Sequence, residues 1–82
     1  MPSKTVVGPD MPVYQISIAS TLCGMPQWMI RRIEKHGLLK PQRTRGKTRL
    51  YSNNDIESLR KIAGLIVKKV NFAGIKIILG IK

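Results

Sequence analysis

Two glycines thirteen residues apart, with a proline just after the first, constrain this chain more than any other feature. Gly24 and Gly37 each read as a helix stop, and Pro26 suits the first position of a new helix, so the stretch between them can hold one short helix. A preceding helix is predicted over Ile18–Cys23, with Ser17 placed to cap it and Ile18 and Leu22 on one face. Two short helices joined by a tight Gly-Met turn form a helix-turn-helix corner, a device many helical proteins contain. The second helix, ending near His36, carries the informative pattern. Met29, Ile30 and Ile33 cluster on one side, while Trp28, Arg31, Arg32 and Lys35 follow helical spacing on nearly the opposite side. An apolar face for docking, backed by a cationic face with a tryptophan, is what a helix entering a DNA groove needs; the bland alternative is a solvated charged face.

The segment that follows decides between these readings. Residues 37–52 predict a strand over Leu39–Arg43, a turn at Thr44–Lys47 with Gly46 at the bend, and a return strand Thr48–Tyr51. Lys40, Arg43, Arg45, Lys47 and Arg49 decorate this ribbon without one acid. From Arg31 to Arg49 there are eight basic residues and a single acid, Glu34, against fifteen Lys and Arg in the whole chain. A randomly solvated surface does not concentrate charge in this way; a helix and a hairpin straddling one duplex do. A third helix is predicted to open at Ser52 with a capping box to Asp55, and to close the core with Ile56, Leu59, Ile62, Ala63 and Ile66. Asn71 is placed to cap a fourth helix containing Phe72, Ile75, Ile78 and Leu79. Residues 1–12, with three prolines, read as a flexible N-terminal arm ahead of one domain over residues 13–82.

The charge balance and the missing residues exclude several classes. A net charge of +11 over 82 residues implies a polyanionic partner. One cysteine, Cys23, makes neither an internal disulfide nor a zinc site, and reads as a small core residue rather than a thiol sensor. His36 sits at a helix carboxyl end with no second ligand nearby, so no metal and no cofactor are expected. The first ten residues lack a signal-peptide core, and no apolar run approaches the roughly 18 residues of a membrane span, which points to the cytosol. Asp10, Glu34, Asp55 and Glu57 form no nucleophile–base set with His36, and no phosphate-cradling loop is present, so no enzyme is expected. RNA binding lacks the aromatic pairs of a stacking platform, and the tail GIKIILGIK, though cationic, lacks the continuous basic face of a membrane-surface segment.

The run GMPQWMIRRIEKHGLLKPQRTRGKTRLYS resembles the head of MerR-family transcriptional regulators. Its usual form is a glycine turn, a helix ending Leu-Arg-Tyr-Tyr-Glu, then Gly-Leu-Leu, a proline, a basic wing and Arg-x-Tyr-Ser. The resemblance covers about residues 13–80, and VNFAGIKIIL is similar to the segment opening the fourth helix in the HspR-like and GlnR/TnrA-like branches. It implies a mainly α winged helix-turn-helix of about four helices with a two-stranded β wing. It further implies a transcriptional repressor in the bacterial cytosol and nucleoid. That repressor would bind double-stranded DNA as a homodimer in the full-length protein, second helix in the major groove and wing on the flanking backbone. Carried over residue by residue, Arg31 matches the helix arginine at DNA, Arg43 and Arg49 match wing positions, Tyr51 matches the aromatic at the wing's end, and Arg45 and Lys47 lie at the wing tip. Ser17, Gln27, Trp28, Arg32 and Lys35 complete the expected DNA-binding set. Arg32 and Ile33 stand where the family has its tyrosine pair, and Trp28 where a small or basic residue is common. The family's dimerisation helix follows the fourth helix, about where Lys82 falls. An excisionase-like or chromosome-anchoring architectural protein, also winged and basic, is the alternative.

Overall fold

The structure, a computed structural model, describes residues 8–43, 46 and 48–80. Among these the element order is α1 (Ile16–Cys23), α2 (Gln27–Lys35), β1 (Gln42–Arg43), β2 (Arg49–Leu50), α3 (Asn53–Val67) and α4 (Phe72–Ile78).

Helix α1 opens two residues earlier than its sequence suggests, and the face it buries is also a different one. Gln15, not Ser17, is the N-cap and offers no side-chain cap; Ser17 lies inside the helix and is exposed. Ala19 and Cys23 are buried with Ile16 packed beside them, whereas Ile18 and Leu22 are 50% and 38% exposed. Small residues at 19 and 23 let α1 lie against α3, its main neighbour. From α3, Arg60 donates through Nε and Nη2 to the Leu22 carbonyl at 3.2 and 2.9 Å, placing a cation at the negative end of α1.

The corner itself follows the expected chemistry. Gly24 takes φ 70° and its N–H bonds the Ser20 carbonyl at 3.0 Å, a conformation that is costly for any residue with a Cβ. Pro26 is the N-cap of α2 rather than its first residue, and its carbonyl accepts from Met29 and Ile30. Gly37, at φ 76°, ends α2, and the Leu38 N–H closes back onto the Ile33 carbonyl at 3.2 Å. Leu38 and Leu39 are thereby turned into the core.

The wing is shorter than expected. Strand β1 begins at Gln42 because Leu39 is buried and Pro41 has no N–H to donate. It pairs antiparallel with β2 in the register Gln42↔Leu50 and Arg43↔Arg49. Tyr51 leaves this ladder and bridges Tyr14 instead, its N–H donating to the Tyr14 carbonyl at 2.7 Å. Thr44, Arg45 and Lys47, where a turn is expected, lie outside the described residues, as do residues 1–7 of the expected arm. Residues 8–12 are irregular but tied down: the Pro9 carbonyl accepts from Asn54, one of the N–H groups that the start of α3 leaves unpaired.

Helix α3 opens as its sequence demands. Asp55 N donates to Ser52 Oγ at 3.1 Å and Ser52 N to Asp55 Oδ2 at 2.9 Å, a complete capping box. Ile56, Leu59 and Ile62 are buried, with Ala63 and Ile66 packed at the edge of the core. The chain leaves α3 through Lys69, a non-glycine at φ 63°, and Asn71 Oδ1 caps α4 by accepting from Gly74 N at 2.8 Å. Of the α4 side chains expected inside, Ile75 is wholly buried, and Phe72 and Leu79 are partly so. Ile78 is 58% exposed, because it lies to one side of the face that Phe72, Ile75 and Leu79 turn towards the core.

Candidate nucleic-acid interface

Helix α2 is anchored from below by Ile30 and Ile33, both with no exposed surface. This fixes what the opposite face offers. Trp28 is 58% exposed, and Arg31, Arg32 and Lys35 are exposed. Gln27, half-buried at the first turn, accepts from Arg31 Nη2 through Oε1 at 3.5 Å, a long contact that leaves most guanidinium donors facing solvent. Trp28 stands between two shallow grooves that share Arg32. One is lined by Met29, Ile66, Val70 and Phe72, the other by Arg31, Lys35 and His36. Arg32 reaches towards α4, its guanidinium carbon 5.7 Å from the Phe72 ring centre, and the His36 ring lies 4.5 Å from the same phenyl. It therefore serves two surfaces, the basic face of α2 and the joint with α4.

The wing is coupled to α2 through one carboxylate. Arg43 Nη2 reaches Glu34 Oε1, and Arg49 Nε reaches Glu34 Oε2 at 2.7 Å. The Glu34 side chain is only 13% exposed, those of Arg43 and Arg49 43% and 32%. A carboxylate so far withdrawn from water requires charged partners, and among the described residues it has two. Glu34 thus gathers both wing arginines beside the basic helix face, a role that spacing alone did not assign. The signal was present: a lone acid among eight cations is seldom an ordinary surface residue.

Tyr51 departs from expectation. It is wholly buried, and its hydroxyl has no hydrogen-bond partner among the described residues. Burial, and then the nearby Glu34 carboxylate, push its phenol up to about 12, with Arg49, Arg31 and Arg43 opposing. A side chain with no accessible surface makes no contact with DNA in this geometry; Tyr51 supports the wing from beneath. Ser17 lies exposed on the first turn of α1. Arg45 and Lys47 lie outside the described residues. Burial also pushes the Cys23 thiol up, as befits a core residue rather than a reactive one. Among the described residues no cluster of His, Cys, Asp or Glu could hold a metal ion, and no helix is long and apolar enough to cross a membrane.

A helical corner, a basic second helix with an outward face, and a short β ribbon docked beside it define a winged helix-turn-helix DNA-binding unit. The chain belongs to the MerR HTH family of regulatory proteins, whose family model matches residues 14–80. It is 44% identical over 68 residues to the heat shock protein HspR of Streptomyces coelicolor, a match covering 82% of this chain and 45% of that protein. To the HTH-type transcriptional regulator GlnR of Bacillus cereus it is 39% identical over 71 residues, covering 87% of this chain and 55% of the relative. To the HTH-type transcriptional regulator MlrA of Escherichia coli it is 36% identical over 70 residues, covering 84% and 29%. Among solved structures it resembles the lead(II)-bound transcription regulator PbrR691 of Ralstonia metallidurans, with a TM-score of 0.76 and 25% identity over 83% of this chain and 54% of that one. The chain thus spans about half the length of HspR and GlnR, and less of MlrA. GlnR and MlrA are transcriptional regulators by name, in line with the expectation that this chain is not an enzyme.

Proposed function

We propose that this chain is the sequence-specific DNA-binding head of a transcriptional repressor, with α2 in the major groove and the wing on the flanking backbone. The observation that carries the reading is the division of labour on α2. Ile30 and Ile33 hold it rigidly on the core, while Trp28, Arg31 and Lys35 face outward next to the two wing arginines. Arg31, whose donors are mostly unengaged, reads base edges or a bridging phosphate. Gln27 sits at the amino end of the same helix and Lys35 at its far end, so the two bracket the contact; Arg32 binds phosphate from the edge nearest α4. The outer edges of Arg43 and Arg49, with Arg45 and Lys47 at the tip, meet the flanking phosphates, and Ser17 on α1 meets the backbone across the groove. The full-length protein acts as a homodimer on a pseudo-palindromic operator in the bacterial nucleoid, with no bound metal required by this head.

Selection of bound sequences from random duplex DNA tests the reading. Recovery of one defined half-site supports it, and the enriched duplex then serves for titration. Enrichment without a consensus, with continuous coating of the duplex, contradicts it and favours an architectural protein.

A further inference from the structure

We propose that Glu34 is the positioning residue that aims the wing: by gripping Arg43 and Arg49 it fixes their remaining donors relative to α2 and so sets how strongly one duplex sequence is preferred over another. The inference rests on the DNA-binding reading and adds to it a source of selectivity that touches no DNA.

The register places Arg43 directly opposite Arg49. Like charges directly opposite on a ribbon destabilise it, so a wing carrying this pair requires a counter-charge. Glu34 supplies that charge from α2, with one carboxylate oxygen for each guanidinium. The two ion pairs tie both strands of the wing to the second helix, which a single pair would not do. The choice of nitrogens matters. Arg49 engages through Nε and keeps its outer Nη edge; Arg43 engages through one Nη and keeps its other donors. Both arginine side chains are more exposed than that of Glu34, so the carboxylate lies deeper than the donors it leaves unused.

Such a clamp trades general attraction for selectivity. Glu34 subtracts one charge from a basic surface, which weakens binding to any duplex. It also denies the arginines the freedom to find whichever phosphate is nearest. They meet phosphates only when α2 lies in the groove at one depth and register, the register in which its side chains read the bases. Removing the clamp therefore has a signature that loss of stability alone does not produce: the two affinities move apart.

The test compares wild type, Glu34→Gln and Glu34→Asp by fluorescence anisotropy, on the selected duplex and on a scrambled duplex of equal length at one salt concentration. Circular dichroism melts set the temperature at which each variant is folded. Glu34→Gln removes the charge with little change of shape; Glu34→Asp keeps the charge but is one methylene too short to hold both arginines. The expected result is scrambled-duplex binding as tight as wild type or tighter, selected-duplex binding weaker, and a preference that falls about tenfold in both variants. An unchanged preference in a folded Glu34→Gln protein overturns the proposal; Glu34→Asp decides if Glu34→Gln does not fold. Equal weakening on both duplexes also overturns it, since that is the mark of a merely structural residue. A Glu34→Asp protein with full preference shows that charge suffices without aim, and overturns it too. If wild type itself shows no preference, the sequence-specific reading fails first, and it fails separately from any property of the variants.

Discussion

Replacing Tyr51 by phenylalanine removes one oxygen from the core beneath the wing and leaves the ring in place. Tyr51 has no exposed surface and its hydroxyl has no partner among the described residues. A buried hydroxyl without a hydrogen bond costs about 1–3 kcal/mol relative to its hydrated state, against which the small void left by the oxygen counts for less. Tyr51→Phe is therefore expected to stabilise the domain by about 1 kcal/mol, raising Tm by roughly 4–8 °C for a chain of this size. The pH dependence supplies a second readout. The phenol is raised from 10 to about 12 in the fold, so the neutral form is favoured there, and its contribution is fully present below pH 10. Between pH 10 and pH 12 the unfolded chain loses this proton while the folded one keeps it, so stability falls as pH rises, by up to about 3 kcal/mol. Tyr51→Phe lacks this loss, and the Tm difference between the two proteins widens across that window. Melts followed by circular dichroism at pH 7 and through pH 10–12 measure both effects. A lower Tm for Tyr51→Phe at neutral pH, or a difference that does not widen with pH, would show that the hydroxyl is not an unpaired buried group. On the selected duplex the variant is expected to bind within about twofold of wild type, as a residue without accessible surface should.

Other perturbations follow from the same geometry. Lys69 occupies the left-handed region after α3 at φ 63°, so Lys69→Gly is expected to stabilise by about 1 kcal/mol while Lys69→Ala is not; denaturant titration separates them. Ser52→Ala breaks the α3 capping box and should cost about 1 kcal/mol in the same assay. Arg60→Ala loses two hydrogen bonds to the Leu22 carbonyl and should lower stability by about 0.5–1 kcal/mol, with half-site affinity held within about twofold. Arg49→Ala, which strands half of a largely buried carboxylate, should lower both Tm and DNA affinity, whereas Arg31→Ala should lower affinity alone.

Much of the fold was legible because its punctuation is local. Gly24, Gly37, the Ser52–Asp55 box and the Asn71 cap each act within four residues, and each does what its sequence predicts, with Pro26 displaced by one position. What local pattern does not carry is set at longer range. Just ahead of α1, Tyr14 is held by Tyr51, a bridge across 37 positions, and packing against α3 buries Ala19 and Cys23 and leaves Ile18 and Leu22 outward. At the interface, helical spacing correctly placed Trp28, Arg31, Arg32 and Lys35 on an exposed face. It could not show that Arg32 also meets Phe72, because that required knowing where α4 returns. Nor could it pair Glu34 with arginines nine and fifteen residues away on two strands. The resemblance sets an aromatic at the wing's end among the DNA-binding residues, whereas Tyr51 is wholly buried, which no local pattern around it signals.

If α2 and the wing together read one stretch of duplex, both contribute to affinity for it and both do so through charge. Titration of the selected half-site duplex against wild type and Arg31→Ala, at a series of salt concentrations, tests this most directly. A steep log–log dependence is expected, near −0.9 for each phosphate neutralised, together with several-fold weaker binding by Arg31→Ala at unchanged Tm. A nearly flat salt response, or an Arg31→Ala protein that binds as well as wild type, would contradict it.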